Sequence, residues 1–127
     1  MNDVRMRHQD ITEQILGCCF TVMNELGSGF LESVYEKALI IVLREQGLSV
    51  INQKPMEVNF RGQVIGNFFA DLLVEKKVIV ELKAVKMLKK EHQGQVINYL
   101  KVTGIGVGLL VNFGRPRIEY RRLFTNS

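Results

Sequence analysis

The chain has 127 residues, of which 46% are hydrophobic, and it carries a net charge of +4 at pH 7. That length is typical of a single domain, residues 1–127, and the composition excludes a disordered chain. No apolar run could span a bilayer, and residues 1–10 lack the apolar stretch of a secretory signal, so we expect a cytoplasmic protein without a membrane segment. Cys18 and Cys19 are adjacent within a helical pattern, which predicts free core thiols.

Two helices are predicted before residue 48. Asp10 and Glu13 have the spacing of an N-terminal capping box, so the first helix is expected to begin with Asp10 as its N-cap. Apolar side chains then recur at helical spacing as far as Gly27, which is expected to end this helix. A second helix is predicted over about residues 31–46, with Gly47 directly after its end.

Strands and one further helix are predicted in the remainder of the chain. Residues 48–60 have the composition of a strand, Pro55 indicates an edge position, and Arg61-Gly62 indicates a turn. The following predicted elements are strands over 64–74 and 78–83, a helix over 89–102, and strands over 106–113 and 117–124. This order of two helices, three strands, one helix and two strands predicts an α/β fold with a mixed sheet flanked by helices.

Charged residues interrupt the two apolar strands at 64–83. If the hairpin between them is centred on Lys76, Asp71 lies opposite Glu81. Side chains alternate along a strand, so Asp71, Glu81 and Lys83 would then share one face of the sheet. Two carboxylates this close repel each other, and the pattern therefore predicts a cation between them, either the Lys83 ammonium or a metal ion.

The side chains of Asp71, Glu81 and Lys83 are of the types used in metal-assisted hydrolysis of a phosphodiester. Asp71, Glu81 and a nearby backbone carbonyl, that of Leu82, offer the hard oxygen ligands that Mg²⁺ or Mn²⁺ prefers. Lys83 could orient the attacking water or stabilise charge on the phosphate. The three side chains alone fit a structural salt-bridge cluster equally well.

Several segments resemble one family of proteins. Asp71 followed by Glu81-Leu82-Lys83 resembles the motif of the PD-(D/E)XK nuclease superfamily. The segment "GSGFLESVYEKAL" resembles the signature of the small bacterial GxxExxY proteins through Gly29, Glu32 and Tyr35. The similarity continues through "DLLVEKKVIVELKAV", "QVINYLKVTG" and "GLLVNFGRPR" and covers nearly the whole chain. It implies a restriction-endonuclease-like core and a nuclease activity inferred by kinship.

The resemblance also implies roles for particular residues. Asp71 and Glu81 match the metal carboxylates of the superfamily and Lys83 its lysine, while Glu32 matches an acidic residue that often helps to hold the metal site. Gln95 and Tyr99 match a Gln-x-x-x-Tyr motif of exonuclease-like branches, and their spacing places them on one helix face. For Tyr35 a packing role is expected, and for His92, three residues before Gln95, an exposed helical position.

The basic surplus fits a nucleic-acid partner, with DNA favoured over RNA. The residues expected to contact phosphates are Lys76, Lys86, Lys89, Lys90, Arg115 and Arg117, and the basic run continues to Arg121 and Arg122. Two alternatives remain open, a catalytically inactive nuclease-fold module that binds nucleic acid or a protein, and a structural subunit of a larger assembly. Because the chain is close to a minimal core, a homodimer or an unidentified protein partner is expected to contribute specificity.

Overall fold

The computed structural model describes residues 3–125, which form three α-helices and one five-stranded sheet. The helices are α1 (Gln9–Leu26), α2 (Glu32–Glu45) and α3 (Lys90–Thr103). The strands are β1 (Val50–Phe60), β2 (Gln63–Val74), β3 (Val78–Lys83), β4 (Val107–Asn112) and β5 (Glu119–Phe124). The predicted order of elements is confirmed.

The strands follow one another across the sheet in chain order, from β1 at one edge to β5 at the other. Only β3 and β4 are parallel, and α3 forms the connection between them. Pro55 lies in the edge strand β1, as predicted, where a missing N–H is tolerated. Arg61 and Gly62 both have positive φ, 50° and 81°, and form the two-residue turn that suits a twisted hairpin.

The prediction for the start of α1 is wrong. The helix begins at Gln9, and the N-cap is His8 in a left-handed conformation rather than Asp10, which lies in the first turn. The N–H of Thr12 donates to the carbonyl of His8, so the backbone enters the helix before Asp10. The predicted end at Gly27 is confirmed, and Cys18 and Cys19 are buried free thiols as expected.

The core has two layers, one on each face of the sheet. Helices α1 and α2 cover one face, where Leu72, Val80 and Leu82 contribute to the larger cluster of buried side chains. Helix α3 covers the other face, against a smaller cluster that includes Ala70 and Ile79. Within residues 3–125, no helix is long and apolar enough to cross a membrane.

The β1–β2 hairpin changes direction at Asp71. Residues two apart in a strand normally share a face, yet Ala70 packs on the α3 side and Leu72 on the α1–α2 side. The partner position in β1 is Gln53, which has a φ of 52° and interrupts the ladder between Asn52 and Lys54. This irregularity bends the hairpin and places Asp71 where β2 leaves β3.

Candidate active site

Asp71 and Glu81 lie side by side at the point where β2 and β3 separate. The ladder between these strands pairs Leu72 with Val80, which is the register predicted from a hairpin centred on Lys76. Beyond Leu72, side-chain hydrogen bonds take the place of the ladder. The N–H of Asp71 donates to Oε1 of Glu81 at 3.1 Å, and the N–H of Leu82 donates to Oδ2 of Asp71 at 2.9 Å.

The environment of Glu81 disfavours its charged form. The residue is 5% exposed, and burial together with the negative charge of Asp71 raises its pKa to about 8. A carboxylate pair that holds a proton near neutral pH is a place where a cation would relieve repulsion.

Lys83 is the cation closest in sequence to this pair. It ends β3 two residues after Glu81, and its charge lowers the pKa of Glu81 and of Glu32. Its ammonium makes no ion pair with the residues that the structure describes. Lys83 therefore acts on the carboxylates through the local field and keeps its three N–H donors for other partners.

Glu32 approaches the pair from the first turn of α2. Partial desolvation and the negative charge of Asp71 raise the pKa of Glu32. The loop before this helix is held by Tyr35, which is fully buried and whose hydroxyl donates to the carbonyl of Gly27 at 2.6 Å and accepts from the N–H of Phe30 at 3.2 Å. Tyr35 thus packs, as expected, and fixes the start of the helix that carries Glu32.

Gln53 and Glu36 also lie near Asp71 and were not identified from the sequence. The amide Nε2 of Gln53 donates to Oε1 of Glu36 at 2.8 Å and to Oδ1 of Asp71 at 3.3 Å. Desolvation raises the pKa of Glu36, and the charge of Asp71 adds to this rise. The spacing of Glu32 and Glu36, one helical turn apart, could have indicated the second carboxylate. Nothing in the sequence marks Gln53, because its placement depends on the irregularity in β1.

Gln95 is exposed and Tyr99 half-buried on α3, and a hydrogen bond of 2.7 Å runs from Nε2 of Gln95 to the tyrosine hydroxyl. Burial and then the charges of Glu81 and Asp71 raise the pKa of Tyr99. The ring of Tyr99 stacks on Phe68 of β2, with centroids 3.8 Å apart and planes 7° apart. The β1–β2 hairpin therefore fixes the orientation of this ring, and the charges of the two carboxyl groups act on its hydroxyl.

A buried asparagine fixes the loop that follows Lys83. Asn112 is fully buried at the end of β4, where its Oδ1 accepts from the N–H groups of Val85 and Gly114 and its Nδ2 donates to the carbonyl of Val85. Nδ2 also donates to Oε1 of Glu119, which in turn accepts from the N–H of Leu88. The segment between β3 and α3 is thereby tied to the ends of β4 and β5.

The basic residues divide between the two ends of β3. Lys86 and Lys89 are exposed in the segment after Lys83, and Lys90 begins α3, so all three lie toward the carboxylate end of the strand. Lys76 lies in the turn before β3, five residues from Glu81 along the strand direction and therefore roughly 16 Å away. The structure thus separates Lys76 from the other predicted phosphate contacts.

The C-terminal arginines are partly engaged within the protein. Arg115 and Arg121 lie 3.9 Å and 3.8 Å from the carboxylate of Glu119. Arg122 donates to the backbone carbonyls of Arg5 and Arg7, which fastens the N-terminal segment to β5.

Arg117 and His92 are the remaining residues for which the sequence predicted a position or role. Arg117 is exposed beside α1 in the loop after β4. His92 is half-buried, where exposure was expected, and its Nδ1 accepts the N–H of Lys89 at the start of α3.

The donor set fits a divalent cation only in part. Asp71 and Glu81 offer two close carboxylates with hard oxygen atoms, and their repulsion is not relieved by an ion pair within residues 3–125. In that same part of the chain, no group of three His, Cys, Asp or Glu side chains is arranged to hold a metal ion. A metal ion at Asp71 and Glu81 would therefore need further oxygen ligands from the backbone, water or substrate, and the place of Glu32 in the predicted set stays a prediction.

The fold and the carboxylate pair together define an α/β domain of the nuclease type. The family model of the PD-(D/E)XK nuclease superfamily matches residues 9–123, and the chain belongs to this superfamily. The chain is similar to the crystal structure of SSO0001, with a TM-score of 0.59 and 19% sequence identity, over 95% of this chain and 61% of that one. It thus spans less than two thirds of that protein. No curated protein matches the chain. The restriction-endonuclease-like fold is confirmed.

Proposed function

We propose that this chain is a Mg²⁺- or Mn²⁺-dependent nuclease that hydrolyses phosphodiester bonds of DNA, or of RNA. Membership of the PD-(D/E)XK superfamily implies a nuclease-like protein that binds nucleic acid. The observation that supports the more specific proposal is a pair of hydrogen bonds, from the N–H of Asp71 to the Glu81 carboxyl group and from the N–H of Leu82 to the Asp71 carboxyl group. Lys83 lies two residues beyond Glu81 on the same strand.

Asp71, Glu81 and the backbone carbonyl of Leu82 would hold the metal, and Glu32 would support it from α2. When bound, a divalent ion would supply Lewis-acid stabilisation of the phosphate and a more acidic water. The ammonium of Lys83 would orient that water or stabilise charge on the phosphate oxygens. The amide of Gln95 and the hydroxyl of Tyr99 would position a non-bridging oxygen by hydrogen bonds.

The chemistry required is a substitution at phosphorus. An oxygen atom from water bonds to phosphorus as the bond to the leaving oxygen breaks, the water loses one proton, and the leaving oxygen gains one. In the metal-free protein Glu81 holds a proton near neutral pH, and a metal ion would have to displace this proton in order to bind.

A second candidate is an inactive nuclease-fold module that binds nucleic acid or a protein partner, alone or as a homodimer. It is favoured by one observation, the lack of a three-ligand metal group within residues 3–125. The two candidates differ in whether Asp71 and Glu81 bind a cation, and cation binding can be measured without a substrate.

The test combines metal binding with cleavage. Calorimetry with Mn²⁺ should give a binding isotherm for the wild type and none for Asp71→Ala. The wild type and Lys83→Met, which keeps the length of the side chain, should then each be incubated with Mg²⁺ or Mn²⁺. The substrates are labelled single-stranded DNA, duplex DNA and RNA. Lys37→Met, at an exposed position of α2, is the matched control. Cleavage lost only in Lys83→Met supports the nuclease, whereas nucleic-acid binding without metal binding or cleavage supports the inactive module.

A further inference from the structure

Three depressions follow one another along α3 and share lining residues, and we call this series the groove. The first, of about 400 Å³, contains Lys86 and Lys89 and meets the second at His92. The second, of about 530 Å³, meets a third of about 400 Å³ at Asn98 and Tyr99. The groove therefore passes from the basic segment after β3, along α3, to the β1–β2 hairpin.

The third depression combines apolar and polar surfaces, and we name it the base pocket. Its apolar lining comes from Val58, Phe68, Val102 and the ring of Tyr99, and its polar lining from Asn67, Asn98 and Lys101, with Gly66 between them in β2. Phe68 and Tyr99 are stacked on each other, so their rings are held in fixed positions.

The polar groups of the base pocket are available to a ligand. Asn67 and Asn98 are exposed, and their amides make no hydrogen bond with residues 3–125. An amide offers both donors and an acceptor, which is the chemistry that matches the edge of a nucleobase. Lys101 adds a positive charge of the kind that neutralises a phosphate.

Tyr99 connects the base pocket to the carboxylate pair. Its ring lines the pocket, whereas its hydroxyl bonds to Gln95 and lies in the field of Glu81 and Asp71. A ligand in the base pocket would therefore contact the ring of a residue whose hydroxyl is affected by the charges at the proposed site of hydrolysis.

We propose that the base pocket holds an unstacked nucleobase, and hence that the substrate is a single strand or a frayed end whose backbone follows the groove toward Lys86 and Lys89. The apolar lining suits the face of a base, which is hidden by stacking inside a duplex. This inference rests on the proposed nuclease function for its choice of a nucleic acid, but binding at the pocket is measurable without cleavage.

A pair of glycine substitutions tests the pocket. At Gly66, which lines the base pocket, an added Cβ would meet only Cβ of Val58 within 4 Å, at 3.9 Å, so the strand has room for the Cβ of Gly66→Leu and the larger side chain is expected to fill part of the pocket. Gly17→Leu is the matched control, since Gly17 is exposed on α1 and an added Cβ there meets nothing within 4 Å. Neither glycine has a positive φ. The probes are fluorescent oligothymidine and its duplex with oligoadenine, measured by anisotropy in chelator.

The wild type is expected to bind the single strand more tightly than the duplex. Gly66→Leu should weaken single-strand binding at least about fivefold, the loss of one stacked base, with Gly17→Leu unchanged. Equal single-strand affinity in Gly66→Leu and Gly17→Leu, a wild-type preference for the duplex, or no wild-type binding to either probe would overturn the inference.

Cleavage assays separate this inference from the proposed function. If Gly66→Leu loses single-strand binding while the wild type cleaves nothing with Mg²⁺ or Mn²⁺, the base pocket stands and the nuclease proposal fails. If the wild type cleaves and Gly66→Leu cleaves single strands equally well, the nuclease proposal stands and the base pocket fails.

Discussion

Asp71 and Glu81 are each fixed by the strand that carries the other. The N–H of Asp71 bonds to the Glu81 carboxylate, and the N–H of Leu82, next to Glu81, bonds to the Asp71 carboxylate. The backbone thus holds two carboxyl groups close together, and the charge of Asp71 helps to keep Glu81 protonated near neutral pH. That arrangement works against the stability of the fold when no ion is bound, as expected for the metal site proposed above.

Asp71→Asn should stabilise the protein in chelator. The substitution removes the charge of Asp71, which disfavours ionisation of the buried Glu81, at nearly constant volume, and the amide oxygen can still accept the N–H of Leu82. We expect a gain of about 1 kcal/mol in unfolding free energy. In millimolar Mg²⁺ the order should reverse, because the ion binds the folded wild type and the variant has lost a charged ligand.

The measurement is the melting temperature of both proteins in chelator and in Mg²⁺. Glu57→Gln, at an exposed position of β1, is a charge-matched control that should follow the wild type in both conditions. A less stable Asp71→Asn in chelator, combined with equal responses to Mg²⁺, would identify Asp71 as a structural residue.

The raised pKa of Glu81 predicts how stability depends on pH. Between its usual value of 4.5 and its folded value of about 8, the folded protein keeps a proton that the unfolded chain releases. The unfolding free energy in chelator should therefore fall as the pH rises through this range, by up to about 1.4 kcal/mol per pH unit. Glu32 and Glu36, whose pKa values are also raised, add a dependence of the same sign.

Denaturant unfolding in chelator at several pH values between 5 and 8 measures this slope. Glu81→Gln should flatten it, and Glu57→Gln should not. In the wild type, Mn²⁺ should displace the proton and bind more tightly as the pH rises. A wild-type slope equal to that of Glu81→Gln would show that Glu81 is ionised in the folded protein throughout the range.

The register of the β2–β3 hairpin was predictable because it depends on local rules. Alternating side chains and a three-residue tip left few alternatives, and the pairing of Leu72 with Val80 confirms the choice. Tyr35 was predictable as a packing residue for the same kind of reason, its position on the inner face of a helix. These features follow from periodicity.

The relation between Gln53 and Asp71 was not predictable. It depends on a left-handed residue inside a strand, a conformation that glutamine rarely adopts and that no neighbouring glycine marks. The separation of Lys76 from the other lysines could have been predicted, because a hairpin centred on Lys76 and a strand over 78–83 place Lys86 and Lys89 at the opposite end of that strand.

Asn112→Ala should be strongly destabilising. The substitution leaves three backbone groups without their hydrogen-bond partner, namely the N–H and the carbonyl of Val85 and the N–H of Gly114. Because Asn112 is fully buried, water cannot take its place. We expect a loss of about 3 kcal/mol in unfolding free energy. Denaturant unfolding measures it, with Asn59→Ala at an exposed site of β1 as control. A loss no greater than that of the control would show that the loop after Lys83 does not depend on Asn112.

The position of the lysines predicts the salt dependence of nucleic-acid binding. Replacing Lys86 and Lys89 together by glutamine should weaken binding and reduce the slope of log affinity against log salt by about 1.4 for a single strand. Lys76→Gln should leave the slope unchanged, because that residue lies at the other end of β3. Titrations of a fluorescent oligothymidine in chelator at several salt concentrations measure the slopes. A larger effect of Lys76→Gln would place the nucleic acid at the hairpin tip instead.

Gln53 combines a strained backbone with a positioning role, and two substitutions separate these effects. Gln53→Gly and Gln53→Ala both remove the amide that bonds to Glu36 and Asp71, but only alanine must place a Cβ at a φ of 52°. In chelator, the glycine variant should therefore be the more stable by about 1 kcal/mol.

Both variants should bind Mn²⁺ several-fold more weakly than the wild type and equally to each other, because the lost amide no longer orients Asp71. Calorimetry and thermal melts supply the two readouts. If both variants bind Mn²⁺ as tightly as the wild type, Gln53 does not position Asp71. If the glycine and alanine variants are equally stable, the backbone at this position relaxes to a negative φ once the amide is removed.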